Sequence, residues 1–87
     1  QGPSAVDVKE SNNVNIYPNP FNHNVVVECD DFEKASIQVT DITGRLIEKK
    51  TMYSNSENLT IEGSSGVYFI SIVKDGEKIH TQKLMKF

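Results

Sequence analysis

One stretch, residues 66–76, constrains the fold more than any other part of the chain. It reads Gly-Val-Tyr-Phe-Ile-Ser-Ile-Val-Lys-Asp-Gly and is the only long apolar run. Its β-branched and aromatic residues, bounded by glycines, predict a central strand, and the lack of polar alternation predicts burial on both faces. The Asp75-Gly76 pair favours a tight turn. Residues 77–86 are therefore expected to return as the antiparallel hairpin partner.

Shorter strand patterns precede this hairpin at a spacing of roughly ten residues, which is typical of all-β domains. The clearest is residues 35–41, where Ala35, Ile37 and Val39 alternate with polar neighbours and should face inward. The other predicted strands are residues 14–17, 25–29, 45–53 and 59–61. No window shows helical periodicity longer than one turn. The pattern predicts an all-β, immunoglobulin-like antiparallel β-sandwich of about seven strands, with a small barrel as the alternative.

Two turns contain residues that restrict the backbone. Pro18 and Pro20 flank Asn19 and end the first strand, because proline fixes φ and removes a hydrogen-bond donor. Phe21 follows as an apolar plug. Residues 41–44, Asp-Ile-Thr-Gly, predict a second turn, since aspartate can bond its own backbone two residues on and glycine tolerates positive φ. This second turn is expected to close a hairpin.

The length and composition indicate one small domain. With 87 residues, 37% of them hydrophobic and no tryptophan, the chain can form a thin core but not a deep catalytic cleft. Residues 1–3 resemble the remnant of a cleavable expression tag, residues 4–13 are expected to be a flexible linker, and residues 14–87 form the domain. No apolar segment approaches the roughly 20 residues that span a bilayer. No export signal is recognisable at the N-terminus.

The residue types give no support to catalysis, metal binding or nucleic-acid binding. A net charge of −3 argues against nucleic-acid binding, because that function requires a basic face. His23 and His80 lack zinc-ligand spacing, and the acidic residues 30–33 match no calcium loop. We therefore predict no catalytic, cofactor-binding or metal-binding residue, no cofactor and no small-molecule substrate. Cys29 cannot form an internal disulfide and is expected to be buried.

Charges are unevenly distributed along the chain. Residues 28–33 are acidic, whereas the terminal hairpin is basic through Lys74, Lys78, Lys83 and Lys86. Lysines on an edge strand guard against unwanted pairing, and the same pattern fits a docking surface at the C-terminus. Residue types alone leave both interpretations open. An exposed terminal edge could also pair two copies of the domain, so a homodimer through an edge strand is a further prediction.

Several short motifs occur in a characteristic order. They are Tyr-Pro-Asn-Pro-Phe at residues 17–21, Val-Thr-Asp-Ile-Thr-Gly-Arg at 39–45, Gly-Val-Tyr-Phe-Ile at 66–70 and Lys-Leu-Met-Lys-Phe at 83–87. Each motif alone has little specificity. Their order, spacing and terminal position resemble the C-terminal sorting domain, or Por secretion tail, of type IX secretion cargo in the Bacteroidota. The resemblance covers residues 14–87.

The resemblance implies an immunoglobulin-like sandwich that acts as a non-catalytic address at the end of an exported protein. The parent protein would cross the periplasm, pass the type IX outer-membrane translocon, and reach the outer-membrane surface or the medium. A surface sortase would then cut within or upstream of residues 4–13 and attach the cargo to anionic lipopolysaccharide.

Carried over position by position, the family motifs fall on residues with recognisable physical roles. The fold-specifying set is Pro18, Asn19, Pro20, Asp41, Gly44, Arg45, Gly66 and Tyr68. The candidates for contact with the translocon are Lys83, Leu84, Met85, Lys86 and Phe87. A terminal strand with a free edge and outward lysines could be added to a receptor sheet through its main chain.

Two other functions fit a β-sandwich, because this architecture serves many unrelated activities. A fibronectin-like or carbohydrate-binding adhesive module of a surface protein is the main alternative. A sugar binder would be expected to expose aromatic side chains, and of Tyr17, Tyr53 and Tyr68 at least Tyr68 is expected to be buried. An enzyme ranks third, since no catalytic constellation is recognisable.

Overall fold

The computed structural model describes residues 13–87, and these form seven β-strands with no helix. The strands are β1 (Val14–Tyr17), β2 (Asn24–Cys29), β3 (Ala35–Asp41), β4 (Leu46–Thr51), β5 (Ser56–Thr60), β6 (Gly66–Lys74) and β7 (Glu77–Lys86). The prediction of a seven-stranded all-β domain is confirmed. The tag remnant and nearly all of the linker lie outside the described residues, so the domain boundaries stay predictions. Within residues 13–87 there is no helix capable of crossing a membrane.

The strands form two antiparallel sheets that enclose one core. One sheet has the order β1-β2-β5 and the other has the order β4-β3-β6-β7. Successive side chains of a strand point to opposite faces, so the apolar member of each alternating pair lies between the sheets. The buried core consists of Ile16, Phe21, Val25, Val27, Cys29, Ala35, Ile37, Val39, Met52, Leu59, Ile61, Tyr68, Ile70, Ile72 and Leu84. This sandwich is consistent with the predicted immunoglobulin-like class.

Strand β6 is central, as predicted, and pairs with β3 on one side and β7 on the other. Its turn into β7 has positive φ at Asp75 (54°) and Gly76 (79°), which matches the expected tight hairpin. The prediction of burial on both faces is wrong. The inward residues Tyr68, Ile70 and Ile72 are buried, whereas the outward valines and Phe69 are only half-buried. An antiparallel sheet of a sandwich has a second layer on one face alone.

Two strand boundaries depend on pairing rather than on hydropathy. Strand β5 begins earlier than the predicted residues 59–61, because its polar residues pair with β2 from Glu28↔Ser56 to Asn24↔Thr60. Strand β4 carries a bulge opposite Val39 and Thr40, which leaves Ile47 as the extra residue. Ile47 packs against the core.

Side chains bridge the two sheets along both lateral openings of the sandwich. On one side the Gln82 amide of β7 donates to the Ile16 carbonyl of β1 at 3.4 Å. On the other side Lys50 Nζ of β4 donates to the Asn58 carbonyl of β5 at 2.8 Å and lies 3.5 Å from a Glu57 carboxylate oxygen. These contacts hold β1 beside β7 and β5 beside β4.

Candidate functional site

The motifs found in the sequence converge on one end of the sandwich. The register pairs Asp41 with Tyr68 and Gly66 with Lys86, and Phe21 forms an isolated bridge with Lys86. Strands β1, β3 and β7 therefore end where β2, β4 and β6 begin. We call this region, made of residues 18–21, 41–45, 63–68 and 83–87, the motif end.

A buried aromatic pair forms the centre of the motif end. Phe21 is fully buried, and its ring packs edge-on against Tyr68 with centroids 6.2 Å apart and planes at 65°. The Tyr68 hydroxyl donates to the Ser64 carbonyl at 2.6 Å. The apolar plug and the buried tyrosine predicted from the sequence are both confirmed.

Gly63 is a residue of the motif end whose role sequence reasoning missed. A Cβ atom at this position would lie 2.7 Å from the Tyr68 hydroxyl, and the backbone φ is +125°. Both the space and the conformation therefore disfavour a larger residue. In the sequence, Gly63 is followed by Ser64, Ser65 and Gly66, a composition that indicates a turn but not this close contact.

The Pro-Asn-Pro-Phe turn closes over the outer edge of the last strand. Phe21 N donates to the Met85 carbonyl at 2.8 Å, and Phe87 N donates to the Phe21 carbonyl at 2.9 Å. The Asn19 side chain accepts from Met85 N at 3.0 Å and makes a longer contact of 3.4 Å to the Lys83 carbonyl. We call these contacts of Asn19 and Phe21 the clamp. The expectation of a free main-chain edge at the C-terminus is wrong for residues 83–87, because the clamp occupies it.

The five candidates for contact with the translocon alternate between exposed and buried positions. Lys83, Met85 and Phe87 are exposed, whereas Leu84 is fully buried and Lys86 is 8% exposed. The expectation that both terminal lysines point outward is therefore wrong for Lys86, which lies on the inner side with Leu84. Their contact with a translocon stays a prediction.

The turn after β3 is fixed by the Asp41 carboxylate. One carboxylate oxygen accepts from the Thr43 hydroxyl (2.6 Å), Thr43 N (2.9 Å) and Arg45 N (3.1 Å), and the other lies 3.4 Å from Arg45 Nε. The Thr43 hydroxyl is the largest of the influences that lower the pKa of Asp41. Gly44 has a φ of +90°. This geometry agrees with a hairpin-setting role for Asp41 and Gly44, and it leaves the Arg45 side chain 77% exposed.

An open cleft of about 460 Å³ separates this turn from the start of β6. It is lined by Asp41, Ile42, Arg45, Ile47, Glu62, Gly63, Ser64, Ser65, Gly66, Val67 and Tyr68. The polar groups of Asp41 and Tyr68 are already bonded to neighbouring turn atoms. The cleft is thus a surface feature between two hydrogen-bonded turns.

Side chains that could bind a metal or act as a nucleophile are dispersed or buried. Within residues 13–87 no group of three or more His, Cys, Asp or Glu side chains is placed to hold a metal ion. Cys29 is fully buried, as expected, and burial raises the pKa of its thiol. A protonated buried thiol is a poor nucleophile.

Comparison with known proteins identifies the family of this chain. A family model described as the secretion system C-terminal sorting domain matches residues 15–86. An ulvan lyase, NLR42, from Nonlabens ulvanivorans is 28% identical over 86 residues, which cover 93% of this chain and 16% of that protein. The chain thus spans only a small part of the relative's length. The motif order, the sandwich and the family match agree: the chain belongs to the C-terminal sorting domains of type IX secretion.

Proposed function

We propose that this domain is the C-terminal signal that carries its parent protein across the periplasm and through the type IX outer-membrane translocon, with residues 83–87 in contact with the receptor. Membership of this family supports a type IX sorting signal that interacts with secretion machinery and whose parent protein is exported to the cell surface or beyond. The observation that carries the proposed receptor contact is the convergence of all four motifs on the motif end.

Removal of the domain by a surface sortase, with attachment of the cargo to anionic lipopolysaccharide, is the second part of the proposal. The cut would fall within or upstream of residues 4–13. The support is the family, whose match begins at residue 15, and the first described strand, which begins at Val14. Mass spectrometry of the released domain would locate the cut, and an uncleaved surface protein would contradict it.

A non-catalytic role fits the chemistry of the motif end. Its carboxylate and hydroxyl groups stabilise turns, and the only described cysteine is buried. The activity named for the ulvan lyase belongs to that larger protein and does not pass to this domain. The adhesive alternative gains no support, because the exposed Tyr17 and Tyr53 lie at opposite ends of the sandwich and form no common stacking surface.

Homodimerisation through an edge strand stays a prediction. The clamp occupies the terminal part of β7, so β4 is the better-placed edge of the four-stranded sheet. Analytical ultracentrifugation over a range of concentrations would test it, and a monomer throughout would contradict it.

The test of sorting fuses the whole chain to a periplasmically exported fluorescent protein. We expect fluorescence at the surface or in the medium in a bacterium with a working type IX system, and periplasmic retention in a translocon-null strain. Retention in both strains would contradict the proposal. Point variants are preferable to deletion of residues 84–87, because Leu84 is part of the core.

A further inference from the structure

The clamp restricts how a receptor could contact the terminal strand. Because Asn19 and Phe21 bond the outer edge from Lys83 to Phe87, a receptor strand cannot pair there while the domain is folded. Recognition must then use side chains. Lys83 and Met85 are two of the exposed residues. They stand opposite Phe69 and Val67 of β6, respectively, and so lie on the outer face of the four-stranded sheet.

The outer face of this sheet carries an apolar centre. Leu46, Thr40 and Phe69 stand opposite one another on β4, β3 and β6, in one row with Lys83. The adjacent row contains Val67 and Met85. Leu46 is 50% exposed and Met85 45% exposed. Met85 and the half-buried Val67 and Phe69 form one contiguous apolar area, and such an area on a protein surface marks an interaction site.

Positive charge lies on the same face, from the row of Phe69 toward the β6–β7 turn. Lys49, Lys78 and Lys83 occupy outward positions, and no aspartate or glutamate is found among the paired outward positions of this sheet within residues 13–87. With the described carboxylates none of these lysines forms an ion pair. The outer face of the other sheet differs, since its positions include Asn15, Glu28 and Asn58. The outer faces of the two sheets therefore differ in charge and favour different partners.

We infer that the outer face of the four-stranded sheet docks on a protein of the secretion machinery that presents an apolar area to Phe69 and Met85 and, beside it, an acidic area to the lysines. This inference rests on the proposed sorting function and adds a second recognition surface to it. Charge complementarity sets the partner's sign, and the apolar centre requires a partner that excludes water. For Lys78 and Lys83 it favours the docking interpretation of the basic hairpin over protection of an edge, whereas Lys74 pairs with Asp31 and Lys86 is buried.

The test compares export of the fluorescent fusion with four variants of the domain. K49Q/K83Q removes two charges from the proposed face, and K49R/K83R retains them. N15D/N58D changes the net charge equally on the opposite face. M85E places a carboxylate beside the apolar centre. All of these side chains are exposed, and circular dichroism of each purified domain checks that the fold is retained.

We expect K49Q/K83Q and M85E to lower the rate of surface delivery on the order of tenfold, as for loss of electrostatic steering, while the arginine and opposite-face variants match the parent domain. Equal export of all variants, or an equal loss with N15D/N58D, would overturn the inference while leaving sorting intact. If the unaltered domain is not exported, sorting itself fails. Binding to phosphatidylcholine–phosphatidylglycerol vesicles that is lost in K49Q/K83Q would replace the protein partner with a lipid surface.

Discussion

Replacing Phe21 by alanine should remove most of the stability of this domain. Phe21 is fully buried, and its ring meets Tyr68 edge-on. Truncation of a buried phenylalanine costs about 3–5 kcal/mol through lost apolar burial and the remaining cavity. Loss of the aromatic pair accounts for about 0.5–1.5 kcal/mol beyond area burial. A domain of this size has a free energy of unfolding near 5 kcal/mol at the low end of the usual range.

Urea denaturation followed by far-ultraviolet circular dichroism would measure this loss. Phe87→Ala is the matched control, because Phe87 is also aromatic and near the clamp but is 68% exposed, and it should change stability by less than about 0.5 kcal/mol. A double-mutant cycle of Phe21→Leu and Tyr68→Leu should give a coupling energy of about 0.5–1.5 kcal/mol.

The result that would refute this reasoning is a Phe21→Ala variant destabilised by less than about 1 kcal/mol, since full burial is incompatible with so small a cost. Equal effects of the alanine variants at positions 21 and 87 would refute it as well. A coupling energy of zero would show that the two rings are independent, although both are buried.

Three further predictions concern the turns of the motif end. Gly63→Ala should destabilise the domain by about 1–3 kcal/mol, because its Cβ would meet a buried hydroxyl at 2.7 Å and its φ is +125°; an unchanged urea midpoint would contradict this. Asn19→Ala should speed hydrogen exchange at the Met85 amide and cost about 0.5–1.5 kcal/mol, since that donor loses its acceptor at 3.0 Å; unchanged exchange would show that Asn19 does not bond Met85. The pKa of Asp41 is lowered chiefly by the Thr43 hydroxyl. The ionised Asp41 carboxylate therefore stabilises the fold fully above the ordinary aspartate pKa near 3.9, and this stabilisation is lost as pH falls through the lower folded value. In Asp41→Asn the free energy of unfolding should therefore fall less steeply as the pH is lowered through this range. A pH profile identical to that of the unaltered domain would show that the Asp41 carboxylate does not contribute to acid unfolding.

The clamp also changes the interpretation of the terminal strand. The sequence placed Lys83 and Lys86 in one basic strand, yet their odd spacing puts them on opposite faces. Lys86 pairs with Gly66 and is buried, whereas Lys83 pairs with Phe69 and is exposed. The sequence shows that alternate residues share a face. Only the structure, with Leu84 in the core, shows which of the two sets faces inward.

Hydropathy predicted most of the strands and their inward residues. The alternation at Ala35, Ile37 and Val39 predicted three buried side chains, and all three are buried. The Asp-Gly pair predicted the β6–β7 hairpin, because only a few residue types tolerate positive φ at such a turn. These features are local: each depends on side-chain preference for water or on the conformational range of one or two residues.

Tertiary structure decided which backbone groups meet. Every residue except proline carries the same amide donor and carbonyl acceptor, so composition could not indicate that Asn19 bonds Met85, which is 66 residues away. The early start of β5, the bulge at Ile47 and the half-buried outer face of β6 have the same origin. The sequence determined the strands, their inward residues and the motifs of the family. Only the packing of two sheets brought those motifs to one end, because register between distant strands depends on the whole core.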